Sequence, residues 1–237
     1  AEHSLNISYA KDLGLNTDDL YFSQPDHGEQ ALEMLNRIVK SKLFGCVVID
    51  SVAALVPKAE LEGEMGDSQM ASQARLMSQA MRKLVGDISK SECCVIFLNQ
   101  ERANIGAFSF GNVTSGGNAL KYYASIRLQV INFGKIKRSD EFVGHVLKIK
   151  TVKNKVYPPL KEIKTNLIYG KGICNIEEIM GLCLDLGIMH KQKNTYYYKE
   201  TKLAGSESKT IDFLEDNLEL VDQLKLELAE ELNLESL

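Results

Sequence analysis

The stretch Asn99–Arg127, NQERANIGAFSFGNVTSGGNALKYYASIR, decides how this 237-residue chain is to be read. It begins where an apolar run, Cys93–Leu98, stops. A short run without polar alternation predicts a strand covered on both faces, as in a parallel sheet. Ligands of open α/β sheets bind beyond the carboxyl ends of the strands, which is where Asn99 and Gln100 fall. A glutamine there is either a polar strand end or a hydrogen-bond donor to a terminal phosphate. Gly106, Gly111, Gly116 and Gly117 loosen the backbone of the segment that follows. It carries Phe108 and Phe110, which either fold onto a core or stack on nucleic-acid bases. Arg102 is close by to neutralise a phosphate. The compact run ALKYYASIR closes the stretch.

Upstream, Cys46–Ile49 is a second apolar run, and it ends in Asp50-Ser51. A carboxylate at a strand end caps the strand or holds Mg²⁺, directly or through water. Gly28–Ser41 predicts a helix with Ala31, Leu32, Leu35, Ile38 and Val39 on one face. Met70–Lys90 predicts a longer one, with Met77, Met81, Leu84 and Ile88 spaced for burial and Asp67 or Ser68 as N-cap. Asp19–Ser23 reads as a further strand, and Glu62–Asp67 as a second glycine-containing loop. Downstream the period changes to two. Ser125–Phe133, Phe142–Val152 and Leu160–Tyr169 predict consecutive antiparallel strands. The alternation of Lys148 and Lys150 breaks at Val152–Lys153, so Lys153 and Lys155 are expected to leave the regular strand, either as an ordinary solvated face or as a pair that reaches an anion. Strand–helix alternation followed by a meander is the pattern of an open, mixed α/β sheet.

Composition shifts at Gly170–Asn175, which predicts a core over 1–174 and a small second domain over 175–237. The latter has a helix at Ile176–Leu186, a strand at Thr195–Lys199 and a turn at Gly205–Ser208. An acidic helix from Asn217 follows, with Val221, Leu224, Leu228 and Leu232 on one face. Lys191, Lys193, Lys199, Lys202 and Lys209 surround Tyr196–Tyr198, as an edge strand or as a weak surface for duplex DNA. A net charge of -4 excludes a polycation, so any nucleic-acid contact must come from local patches. The odd number of cysteines, set mostly in apolar runs without zinc-like spacing, predicts buried free thiols in a reducing cytoplasm. No apolar run approaches the ~18 residues of a membrane span. The opening, AEHSLNISYA, reads like the inside of a domain, so an upstream part is expected.

The segments AEHSLNISYA, SQPDHGEQALE, VVIDSVAALVPKAELEGEMGDS, ARLMSQAMRKL, NQER, GGNALKYYASIR and VKNK stand in the order found in bacterial RecA recombinases. The chain resembles that family over nearly its whole length. The resemblance implies a RecA-type P-loop ATPase core, without its N-terminal part, plus a small α+β C-terminal domain. It implies ATP and Mg²⁺ as cofactors, and single-stranded DNA, duplex DNA and further copies in a helical filament as partners. The work implied is recombination, repair and the response to DNA damage. Glu2 matches the glutamate that activates the attacking water, Gln100 the sensor of the terminal phosphate, and Asp50, with Ser51 beside it, the metal-binding strand end. Tyr9 matches an aromatic beside the adenine, and Lys153 and Lys155 match lysines that reach ATP across a subunit interface. Gly63, Glu64, Met65 and Gly66 resemble the first DNA loop. Phe108, Phe110, Gly116 and Gly117 fall in the second, with Arg75 and Arg102 on the strand backbone. Lys121, Tyr122 and Arg127 resemble the segment that links DNA, nucleotide and neighbouring subunit.

The sequence also departs from the family. No Gly-Lys-Ser/Thr triplet occurs, so the phosphate-binding GxxxxGK[ST] loop is absent. Glu101 replaces an apolar residue, and Asn104 and Asn6 stand where lysine and aspartate are common. The second loop differs slightly in length. Two rivals are weighed beside the recombinase: a RecA-fold ATPase with another task, and a non-catalytic DNA-binding or regulatory module.

Overall fold

The chain divides into two compact units, Ala1–Arg127 with Lys153–Tyr157, and Leu128–Val152 with Pro158–Leu237. A computed structural model describes residues 5–64, 71–103, 112–138 and 140–232. In the first unit, α1 (Ile7–Asp12) is capped by Asn6, whose side chain accepts the Tyr9 amide. Helix α2 (Gly28–Ser41) starts at His27, whose ring accepts the Gln30 amide, and ends at Lys42 in the left-handed conformation. Next come β1 (Cys46–Ile49), α3 (Lys58–Glu62), α4 (Ser72–Ile88) and β2 (Cys94–Phe97). The short β3 (Glu101–Ala103), β4 (Asn112–Thr114) and α5 (Ala119–Tyr123) follow.

Strands β1 and β2 pair in parallel, Cys46 against Cys94 through Ile49 against Phe97. Val47, Ile49, Val95 and Phe97 pack on a core supplied by Leu35 and Val39 of α2 and Met77, Met81 and Leu84 of α4. Helices α2 and α4 therefore share one face of the sheet. The expectation of strands covered on both faces fails among the described residues: Val48 and Ile96, on the other face, are 54% and 42% exposed. Cys46 and Cys94 are exposed with them, whereas Cys93 and Cys183 are buried, and all five thiols are free. Asp19–Ser23 is not a strand. The Asn16 side chain accepts the Asp18 amide and starts a 3-10 turn at Thr17–Asp19, a local bond that competes with any ladder. The N-caps expected at Asp67 or Ser68 lie outside the described residues. The residue preceding α4 is Ala71, at φ +67°.

Four long and short strands, β5 (Ile126–Arg138), β6 (Glu141–Asn154), β7 (Glu162–Ile168) and β8 (Gly172–Ile173), form a sheet in chain order. Strand β6 runs through Asn154, so Lys153 remains within it and only Lys155 lies beyond, contrary to the break expected at Val152. The chain continues through α6 (Asn175–Asp185), β9 (Met189–Gln192), β10 (Thr195–Tyr198), β11 (Thr201–Ala204), α7 (Glu207–Asp216) and α8 (Leu218–Glu231). Strand β10 lies between β9 and β11, antiparallel to both. Tyr196 and Tyr198 enter a core with Met180, Cys183, Leu214, Leu224 and Leu228. Tyr197 points the other way and stacks on His190, ring centroids 5.2 Å apart.

Candidate functional site

The carboxyl ends of β1 and β2 meet in register. The Leu98 amide donates to the Ile49 carbonyl at 3.0 Å, and the Val52 amide donates to the Leu98 carbonyl at 2.9 Å. Asp50 and Ser51 thus leave β1 alongside Leu98, one step from Asn99 and Gln100. Asp50 and Gln100 are exposed and Ser51 is buried. From Ser51 the chain enters a 3-10 turn, Val52–Ala54. The strand ends place a carboxylate and a carboxamide on one rim, as the sequence implied.

From Gln100 the chain enters β3, which pairs antiparallel with β4, Glu101 against Thr114. The base of the second loop is therefore a two-stranded ribbon. Its tip, with Phe108 and Phe110, lies outside the described residues, as do Glu2, Met65 and Gly66; of Arg102 only the backbone is described. The returning end is held from two sides. Asn99 Nδ2 donates to the Ser115 carbonyl at 2.9 Å. Gln73 Oε1, on α4, accepts the Gly116 amide at 3.1 Å. Gln73 Nε2 donates to the carbonyls of Val52 (2.9 Å) and Leu55 (3.2 Å).

Gly116 and Gly117 sit at φ +78° and +73°. A Cβ on Gly116 would lie 2.8 Å from Val52 Cγ1 and 3.0 Å from Met77 Cγ, and one on Gly117 2.8 Å from Ala74 Cβ. These two glycines serve close approach and a left-handed turn, so the looseness expected of them is corrected. A cavity of about 330 Å³ opens beside them, lined by Ala53, Glu60, Ser72, Gln73, Gly116 and Gly117. Gly63 and Glu64, after α3, and Arg75, in the first turn of α4, are exposed. Ser72 Oγ donates to Glu60 Oε2 at 3.1 Å, which ties the start of α4 to α3.

A cationic cluster forms around α5. Lys153 Nζ donates to the carbonyls of Lys121 (2.8 Å) and Tyr122 (2.7 Å), the last turn of α5. A helix end leaves such carbonyls without intrahelical partners, and a lysine satisfies them. The Lys155 amide donates to the Ser125 carbonyl at 3.0 Å. Burial lowers the pKa of Lys153, and the neighbouring charges of Lys155 and Arg127 lower it further. Three crowded cations are a place where an anion relieves repulsion. In the second unit, Lys148 and Lys150 both pair with Glu162, at 2.6 and 3.0 Å. Tyr9 lies half-exposed on α1.

Two groupings result: Asp50, Ser51 and Gln100 with Gly116 and Gly117, and Lys121, Tyr122 and Arg127 with Lys153 and Lys155. Gln73 and the role of Asn99 were not legible in the sequence, where Gln73 is one more polar residue on an amphipathic helix. The first grouping fits Mg²⁺ carried on a phosphate, because that ion takes one or two carboxylates and keeps waters and phosphate oxygens for the rest. Among the described residues no cluster of three or more His, Cys, Asp or Glu is placed to hold a metal by protein alone.

Residues 1–174 match the RecA N-terminal domain. The chain is similar to Protein RecA of Cytophaga hutchinsonii, 49% identical over 237 residues, which is 99% of this chain and 66% of that protein. It is 51% identical to Protein RecA of Geobacter sulfurreducens over 227 residues, 95% of this chain and 67% of that one. With Protein RecA of Acinetobacter baylyi the identity is 46% over 233 residues, 98% and 67% of the two chains. The chain spans about two thirds of the length of these curated relatives. By the domain that it matches, and by identity sustained along nearly its whole length, the chain belongs to the RecA family.

Proposed function

We propose that the chain is the nucleotide-sensing and DNA-gripping part of a cytoplasmic recombinase, a DNA-dependent ATPase that assembles with its own copies on single-stranded DNA. The assembly pairs that strand with homologous duplex and exchanges strands in recombination and repair. The observation that carries the reading is the continuity from the Asp50–Gln100 rim into the β3–β4 ribbon. The residue beside the nucleotide edge is the residue that begins the DNA loop.

Bound ATP supplies a terminal phosphate, with Mg²⁺, whose presence or loss distinguishes the two states of the assembly. Asp50 would hold the metal, directly or through water, with Ser51 beside it. Gln100 donates its amide hydrogens toward the terminal phosphate, and its displacement moves the loop that it begins. Glu2 is assigned the orientation and deprotonation of the attacking water. Tyr9 covers the base. Lys153 and Lys155 reach the nucleotide of a neighbouring copy, which requires Lys153 to leave the carbonyls of α5. Arg75 and Arg102 neutralise DNA phosphates, and Gly63–Gly66, Phe108, Phe110, Gly116 and Gly117 line the strand. Recognition of homology falls to base pairing, because backbone contacts position without specifying.

The test is Gln100→Ala in the intact protein, with single-stranded DNA affinity measured under a non-hydrolysable ATP analogue and under ADP. The two affinities are expected to converge, while the wild type binds more tightly with the analogue. A variant that retains the full difference removes Gln100 from the sensing role.

A further inference from the structure

We infer that Gln73 is the positioning residue that couples the turn behind Asp50 to the returning end of the second loop. The inference deepens the recombinase reading and rests on it. The Gln73 carboxamide joins three segments far apart in sequence. Its Nε2 holds the Val52 and Leu55 carbonyls of the turn that leaves Ser51, at 2.9 and 3.2 Å. Its Oε1 holds the Gly116 amide, at 3.1 Å. Val52 is two residues from Asp50, and its own amide is fixed to Leu98. A displacement of the Asp50 peptide is therefore passed to the carbonyls that Gln73 grips.

At the far end Gly116 has little room to slip, since Val52 and Met77 fill the space that a Cβ on it would take. Asn99 grips the preceding residue, Ser115, from the β2 side. Consecutive residues of the loop are thus clamped once from the strand end beside Gln100 and once from α4. The α4 turn that carries Gln73 also carries exposed Arg75, so both DNA-facing elements are tied to a single side chain. A carboxamide is suited to this task because it offers donors at one end and an acceptor at the other. Glutamate retains only acceptors, and methionine, of similar length, has neither a donor nor a strong acceptor.

A residue that served stability alone would, when lost, weaken both nucleotide states alike. A coupling residue changes their ratio. The experiment uses the intact recombinase as wild type, Gln73→Met and Gln73→Glu. Single-stranded DNA affinity is measured with a non-hydrolysable ATP analogue and with ADP, and analogue affinity is measured without DNA. The ratio of the two DNA affinities is expected to fall about tenfold in Gln73→Met, with analogue affinity in the absence of DNA unchanged. Gln73→Glu keeps the acceptor for Gly116 and loses the bonds donated to the Val52, Ala53 and Leu55 carbonyls; it is expected to lower the ratio too, and it carries the test if the methionine variant does not fold. A wild-type ratio in the folded variants overturns the inference, as does an equal fall of both affinities. A wild type that binds DNA equally with analogue and ADP overturns the reading beneath it, and the inference with it.

Discussion

A methyl group at Gly116 would need space already taken by Val52 Cγ1, 2.8 Å away, on a backbone at φ +78°. Both effects oppose an L side chain, and a residue forced into that region costs about 1–3 kcal/mol. Gly116→Ala is therefore expected to lower unfolding stability by that amount, read as a fall in the urea midpoint at constant slope. Gly86 is the contrasting case: it lies inside α4 with nothing within 4 Å of a built Cβ. Gly86→Ala is expected to raise stability by about 0.5–1 kcal/mol through helix propensity and a less free unfolded chain. The opposite signs separate a glycine required by geometry from one that is merely tolerated.

At the scale of elements, β10 and α8 are joined by one carboxylate. Glu227 accepts from Tyr198 Oη at 2.6 Å and from Lys199 Nζ at 2.9 Å. The Tyr198 hydroxyl, then the Lys199 ammonium, hold the carboxyl below its usual value of 4.5, outweighing burial. A carboxylate with a lowered folded pKa stabilises fully above the unfolded value and loses that contribution as pH falls through the folded one. Glu227→Gln is thus expected to destabilise the protein at pH 7 by up to about 1 kcal/mol, as for a partly exposed pair. The difference from wild type should shrink as pH drops below 4.5, followed by urea titration at stepped pH. A gap of constant size down to pH 3 would remove the charge from the account.

Elements with strong periodicity were legible in the sequence. Helix α2 falls at the predicted residues, and Val221, Leu224 and Leu228 form the buried face of α8. Strands β9 and β11 and helix α7 were not: each strand has four residues and pairs with β10 across a tight turn, Gln192 against Thr195 and Thr201 against Tyr198, too short a run for a period to show. Ser206, read as part of a turn, caps α7 by accepting the Lys209 amide. The rim residues Asp50 and Gln100 were legible because strand ends announce them. Gln73 was not, since its role arises from three backbone segments that only the fold brings together.

Taken as a whole, these 237 residues contain no Gly-Lys-Ser/Thr triplet, the motif that cradles phosphates. The 237-residue chain on its own is expected to show no ATP turnover above background, with or without DNA, in a phosphate-release assay. DNA-stimulated turnover by the isolated chain would overturn that expectation. The uncovered face of β1 and β2, with Val48, Ile96 and Leu98, has a more practical side. Its association strengthens in sulfate and other excluded salts, and a net charge of -4 offers weak opposition. Salting-out during purification would then favour association through this sheet, and low-salt, dilute handling would oppose it.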